Sequence, residues 1–200
     1  NLMCLLGWSD LGDKELFTKE ELIGVFDEHR LSKSPSMFDV KKLTWMNHQY
    51  MKEMEDQEWL DFVRPFAEKE HDLSNKSDAW INQCLLLYKE QLQYGAEIGS
   101  LISMYFKEPE LDDKAKEVLA DEKTKIVAKS FLDKLPEEWS VENLRTSFNE
   151  TKEETGIKGK PLFMGLRIST THQSHGPDLM SAIFLLGKDQ VKERLESYVG

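Results

Sequence analysis

The densest run of side chains able to hold an anion or a nucleobase is residues 155–177. It contains Lys158, Lys160, Arg167, His172 and His175 with no acid, for a formal charge of +3. Glycine, serine and threonine fill much of the remainder, and helix formers are few. Hydroxyls, imidazoles and open backbone are the groups that hydrogen-bond base edges in single-stranded RNA loops. A second basic run, residues 29–52, sets Arg30, Lys33, Lys41, Lys42 and Lys52 against Asp39 alone, for +4. The other 153 residues carry −18, so the total of −11 conceals a segregated charge. Read as one number, −11 argues against nucleic acid, which is bound through basic contacts. Read by position, it marks two places where an anion can be held on a surface that repels it elsewhere.

Other candidate chemistry is weaker. Gly156-Ile157-Lys158-Gly159-Lys160-Pro161 offers a Gly-Lys pair, but proline stands where a phosphate-cradling loop needs a hydroxyl for magnesium. His172-x-x-His175 has ligand-like spacing without a neighbouring acid or thiol, and a pair facing solvent or RNA is the better reading. Ser174 beside His175 lacks the buried acid and strained turn of a nucleophile elbow. Asp112-Asp113 and Glu153-Glu154 read as surface acids. The two cysteines, Cys4 and Cys84, allow neither a disulfide framework nor a four-thiolate zinc site, and they fit a reduced, cytoplasmic setting. No catalytic residue and no metal site are expected in this chain.

The elements that would carry these residues are helical. Leucine and methionine total 34 residues against 24 for valine, isoleucine and threonine, and unbranched side chains lose less freedom in a helix. Thr18 and Glu21 have capping-box spacing ahead of Leu22, Ile23, Val25 and Phe26. Asp39 can cap a helix whose stripe is Val40, Leu43, Tyr50, Met51 and Met54, with Asn47 its polar exception. Further helices are expected over 57–70, with a kink or stop at Pro65, over 78–106, broken near Gly95 or Gly99, and over 113–135. Ser140 should cap another through Phe148. The stretch 155–177 then leads to a helix headed by Pro177 and ending near Gly187, and a last one carries Val191, Leu195 and Val199. Trp8, Trp45, Trp59, Trp80 and Trp139 sit among aliphatics and read as core, as do Phe38 and Leu43. The fold class is all-α. The loop Lys107-Glu108-Pro109-Glu110-Leu111-Asp112-Asp113 divides it into helical subdomains 1–106 and 107–200. At 23.3 kDa there is chain enough for a substantial core. Leu2 to Leu6 is too short for a membrane span and has no basic leader. Starting at Asn1 in mid-hydrophobic stride, the chain reads as a fragment of something longer.

Ordered motifs then point to a family. Leu5-Leu6-Gly7-Trp8-Ser9, Ser34-Pro35-Ser36-Met37-Phe38-Asp39 and Lys42-Leu43-Thr44-Trp45-Met46-Asn47 resemble the stretch beyond the catalytic domain of bacterial glutamyl-tRNA synthetases. Lys160-Pro161-Leu162-Phe163-Met164-Gly165-Leu166-Arg167, His175-Gly176-Pro177-Asp178-Leu179 and Leu185-Leu186-Gly187-Lys188 are similar to the end of the same proteins. The family commonly has proline where Gly165 stands and a Thr-Gly pair where Thr171-His172 stands. Arg30-Leu31-Ser32-Lys33-Ser34 also resembles the mobile KMSKS loop of class I synthetases. That loop works only beside a nucleotide fold with an HIGH element, and this sequence has neither, so it reads as a basic turn before Pro35.

The resemblance implies a two-part helical anticodon-binding region from the C-terminal part of a class I enzyme that attaches glutamate to tRNA-Glu. ATP and magnesium would serve the catalytic part, and this chain alone would be inactive. Arg167 matches the family arginine that contacts anticodon bases. Gly176, Pro177 and Leu179 match the segment packed against the first of them. Arginine at a position on the helix matching residues 78–92 goes with glutamate-only enzymes, and glutamine with enzymes that also charge tRNA-Gln. Ungapped alignment puts Gln91 there, and a slip would put Lys89 there instead. Lys158, Lys160, His172 and His175 join the RNA-binding set, with Lys41 and Lys42 as candidate backbone contacts or a solvated face. The expected partner is tRNA, not DNA or a membrane, and the chain is expected to be monomeric and cytoplasmic. An acidic helical scaffold for protein partners is the alternative.

Overall fold

The computed structural model describes residues 1–8, 12, 14–34 and 36–199. Ser9 and Pro35, which belong to two of the motifs above, lie outside the described residues, as does the end of the proposed turn at Pro35. Twelve α-helices and no strand occur among the described residues.

Local capping chemistry sets most of the helix starts. α1 is one turn, Leu2–Leu5. α2 (Lys19–Val25) opens with a complete capping box between Thr18 and Glu21. The Asp39 carboxylate accepts from the Lys41 and Lys42 amides at the head of α3 (Val40–Lys52). Asn47, the polar exception on the α3 stripe, donates to the Gln93 carbonyl at 2.7 Å and also meets Met51 Sδ. α4 (Asp56–Glu70) runs on through Pro65, against the expected stop. Trp59, Val63 and Ala67 are fully buried on both sides of the proline, and their packing outweighs the one missing rung.

The helix expected over 78–106 is two, and the break, over 88–96, includes Gly95 as expected. α5 (Asp78–Leu87) ends in turns at Tyr88–Gln91, before either glycine, and α6 (Glu97–Ile102) contains Gly99. The expected helix over 113–135 is also two, because Asp121 is extended and caps a new start. α7 is Asp113–Ala120 and α8 is Glu122–Asp133. α9 (Val141–Thr155) outruns Phe148 by two turns and stops at left-handed Gly156.

The largest departure lies inside 155–177, where α10 (Lys160–Thr171) forms in a stretch for which no helix is expected. Leu162 and Leu166 are fully buried four residues apart, and Gly165 lets α10 approach α8 closely: a Cβ there would lie 2.9 Å from Thr124 Oγ1. Ser169, Thr170 and Thr171 return their hydroxyls to the carbonyls of Leu166 and Arg167. Burial and this back-bonding override poor intrinsic propensity. α11 (Leu179–Leu186) is capped by the Asp178 side chain, so Pro177 precedes the cap instead of heading the helix. α12 is Lys188–Val199.

The main core cluster runs from Met51 of α3 to Leu195 of α12, and a small second cluster joins Ala115 and Leu119 of α7 to Ile168 of α10. Trp59, Trp80 and Trp139 each donate their indole N–H to a backbone carbonyl, of Leu85, Leu185 and Phe184 respectively. Trp8 is buried between Phe17, Phe26 and the Arg30 guanidinium, which lies 5.4 Å from its ring. Arg30 is thereby placed on an indole. Trp45, Phe38 and Leu43 do not enter the core; Trp45 is 43% exposed. Eleven of the fifteen large apolar side chains exposed among the described residues fall within the first fifty, so this end carries an apolar surface.

Candidate nucleic-acid interface

Arg167 lies in the last turns of α10, half-buried, and Nη2 donates to the Pro177 carbonyl at 2.8 Å. The Pro177 carbonyl is free to accept because Asp178, not Pro177, caps α11. Gly176 has φ of 154°, and a Cβ there would stand 3.0 Å from Arg167 Nη1. Glycine thus leaves the space in which the guanidinium sits. Burial lowers the Arg167 pKa, opposed by Asp178 and the Tyr88 and Tyr105 hydroxyls. One fork is tied to backbone, and the remaining N–H groups of the planar head keep their capacity to donate.

Asp178 holds the loop's other end. It accepts from Ser181 and lies 3.0 Å from Arg145 Nη2. Burial raises the Asp178 pKa, but the bonds from Ser181 and the Arg145 contact outweigh it and keep the pKa below the ordinary value. Leu179, the next residue, is buried in the core, so its part in the site is to seat the loop.

The two histidines separate. His175 is exposed on the loop, but His172 is only 7% exposed and does not face solvent or RNA. It closes α10 in the left-handed conformation, φ 56°, the place where helices commonly end on glycine. Its Nε2 lies 2.8 Å from Tyr198 Oη and its Nδ1 3.2 Å from Glu108 Oε1. Burial and then Arg194 lower its pKa, with Glu108 opposing. Buried Arg194 donates to the Thr170 carbonyl at 2.8 Å and so finishes the end of α10.

Lys158 and Lys160 are exposed at the opposite end of α10. Seven residues of helix, about 10 Å, separate Lys160 from Arg167. The acid-free window is therefore two patches at the ends of one helix.

Gln91 is exposed in the turn beyond α5, not on the helix itself, and its backbone N–H donates to the Tyr88 carbonyl at 2.9 Å. It lines a groove of about 440 Å³ with Lys41, Thr44, Trp45 and His48 of α3. The structure thus brings Gln91 and Lys41 together. It joins Lys42 instead to Glu15, and Lys89, the other occupant considered for the reading position, to Asp56 and the Met54 carbonyl. Asn47, read from sequence only as the polar exception of its stripe, and His48 are not among the predicted site residues. No group of three or more His, Cys, Asp or Glu side chains able to hold a metal occurs among the described residues. No described helix is long and apolar enough to cross a membrane.

Residues 57–199 match the family of the anticodon binding domain. The chain belongs to that family. It is 45% identical over 203 residues to the glutamate–tRNA ligase of Geobacillus thermodenitrificans and 42% identical over 204 residues to that of Bacillus subtilis. Both alignments cover 98% of this chain and 42% of the relative. The chain thus spans about two-fifths of the length of these curated ligases. The fold is shared with two solved structures, a glutamate tRNA ligase from Elizabethkingia meningosepticum and a glutamate-tRNA synthetase from Elizabethkingia anophelis. Each superposes with a TM-score of 0.84 over 99% of this chain and 39% of that one, at 23% and 24% identity.

Proposed function

We propose that this chain is the anticodon-reading part of a glutamate–tRNA ligase, whose remaining length carries the ATP- and magnesium-dependent attachment of glutamate to tRNA-Glu. We assign no chemical step to the residues described above. Their work is recognition, by a monomeric part of a cytoplasmic enzyme that binds neither DNA nor membrane. The observation that carries this reading is the seating of Arg167. Its guanidinium is fixed by Pro177 in the space left by Gly176, with donors remaining for a base edge. His175 on the same loop, and Lys158 and Lys160 at the far end of α10, supply further donors and backbone contacts. The division into parts 1–106 and 107–200 places Gln91 in the first and Arg167 in the second.

Arg167→Ala in the whole enzyme should weaken tRNA-Glu binding by about 1–3 kcal/mol, and the loss should depend on anticodon identity. Equal losses on tRNAs with unrelated anticodons would reduce Arg167 to a phosphate contact. Gln91 supports the dual-specificity type. The enzyme should then charge tRNA-Gln as well as tRNA-Glu in aminoacylation assays, and an absence of acceptor activity with tRNA-Gln would remove that assignment.

A further inference from the structure

Among the described residues, His172 is the one residue other than glycine with a positive φ. Such a conformation persists only where the surroundings over-determine it. Here they do. Three carbonyls in the last turns of α10 are taken: Arg167 by the Thr171 hydroxyl at 2.7 Å, Ile168 by the His172 N–H at 3.0 Å and Thr170 by Arg194. The Thr171 hydroxyl also accepts from the Gln173 N–H at 3.2 Å, which sets the first step of the loop to Asp178. Residues 173–177 take part in no backbone–backbone hydrogen bond among the described residues. Their course therefore depends on the two ends, His172 on one side and Asp178, held by Ser181 and Arg145, on the other. That course delivers the Pro177 carbonyl and the Gly176 space in which Arg167 is seated.

The imidazole is the peg at the first end. The charged and titratable groups facing it are Glu108 from the 107–112 loop and Tyr198 and Arg194 from α12. Arg167, on α10 itself, turns to Pro177. A carboxylate can only accept, so the proton of the neutral ring belongs on Nδ1, facing Glu108, and Tyr198 donates to Nε2. A second proton on Nε2 removes that acceptor and sets a cation near the Arg194 guanidinium. Glu108 is exposed, so water screens its attraction, whereas Arg194 is buried and its repulsion is screened far less. We propose that the Glu108–His172–Tyr198 contact is a latch that positions Arg167 and opens when the imidazole is protonated, so that affinity for RNA falls in acid. The proposal rests on the RNA-binding reading of Arg167 and adds to it the device that holds Arg167 in place. His172 is a positioning residue: it acts through the loop, not on the ligand.

The test uses the full-length enzyme carrying His175→Gln, so that the exposed imidazole of the loop contributes nothing to the pH profile. Kd for tRNA-Glu is measured between pH 8 and pH 5.5 with and without His172→Asn, which accepts the left-handed backbone. Hydrogen exchange reads the protection of the loop amides at the same pH values. With His172 in place, Kd should rise about fivefold toward pH 5.5 in step with lost loop protection, while the His172→Asn protein stays flat in both. Glu108→Gln should move the rise to lower pH, because it removes the charge that favours the imidazolium. Protection of α4 should not change. A Kd that follows pH equally in both proteins overturns the proposal, as does a loop that opens in acid while Kd stays constant. Loss of protection in α4 alongside the loop also overturns it, since the change is then global unfolding. If the enzyme fails to bind tRNA-Glu even at pH 8, the RNA reading falls and takes the latch with it.

Discussion

A histidine closing a helix in the left-handed conformation is a local liability, costing about 1–2 kcal/mol where glycine costs nothing. His172 offsets that by spanning three elements, touching Tyr198 of α12 and Glu108 of the 107–112 loop from the end of α10. Because burial and Arg194 depress its pKa below the ordinary 6.5, the folded state prefers it neutral. The unfolded chain then binds the proton more readily. The stability His172 contributes is complete above about pH 6.5 and is lost as pH falls from there toward its lowered folded-state pKa. His172→Asn tolerates the left-handed backbone and cannot titrate. Thermal unfolding at a series of pH values should show wild type above the variant at pH 8, with the gap closing below pH 6.5. A gap that does not vary with pH would remove the imidazole from this role. None of this was legible in the sequence, where His172 and His175 read as a pair; burial divides them, and burial is not written in spacing.

At the scale of elements, starts were legible and continuity was not. Thr18, Asp39 and Ser140 cap where their spacing predicts, because a cap is a contact over three residues. Asp121 and Asp178 are caps of the same kind, but each sits inside a run that reads as uninterrupted or beside a proline that reads as the head. α10 was hidden for another reason: its helicity comes from packing against α8, across Gly165 and Thr124. That contact gives a sharp expectation. Gly165→Ala should destabilise the chain by about 1–2 kcal/mol despite alanine's better propensity, since its Cβ meets Thr124 Oγ1 at 2.9 Å. Thr124→Ala introduced alongside should recover most of the loss, and a double-mutant cycle by chemical denaturation reads the coupling. Additive losses would place the strain elsewhere.

Across the whole molecule, burial is uneven. The main core from Met51 to Leu195 links both sides of the 107–113 loop, through Trp80 on Leu185 among others. The first fifty residues bury far less apolar surface and expose most of the large apolar side chains. Native-state hydrogen exchange on this chain should therefore show α1 and α2 opening at low free energy, with α4, α5, α8 and α11 protected to the same, highest level. Separate exchange levels on the two sides of 107–113 would show two independent cores. The all-α class and the basic windows could be read from composition and charge. The exposure of Trp45 could not, because an indole among aliphatics has the same spacing on a buried face and on an open one.

α3 joins these scales mechanically. On one side the Tyr50 hydroxyl is anchored to the Phe17 carbonyl at 2.8 Å, and on the other Asn47 and His48 hold the turn that bears Gln91. The two sets of anchors lie within one helical repeat of α3, so one rigid stretch of helix carries both. A displacement imposed on the N-terminal segment cannot leave that turn behind without breaking two hydrogen bonds, so motion at one end of the chain is delivered to the residue at the other side of the groove.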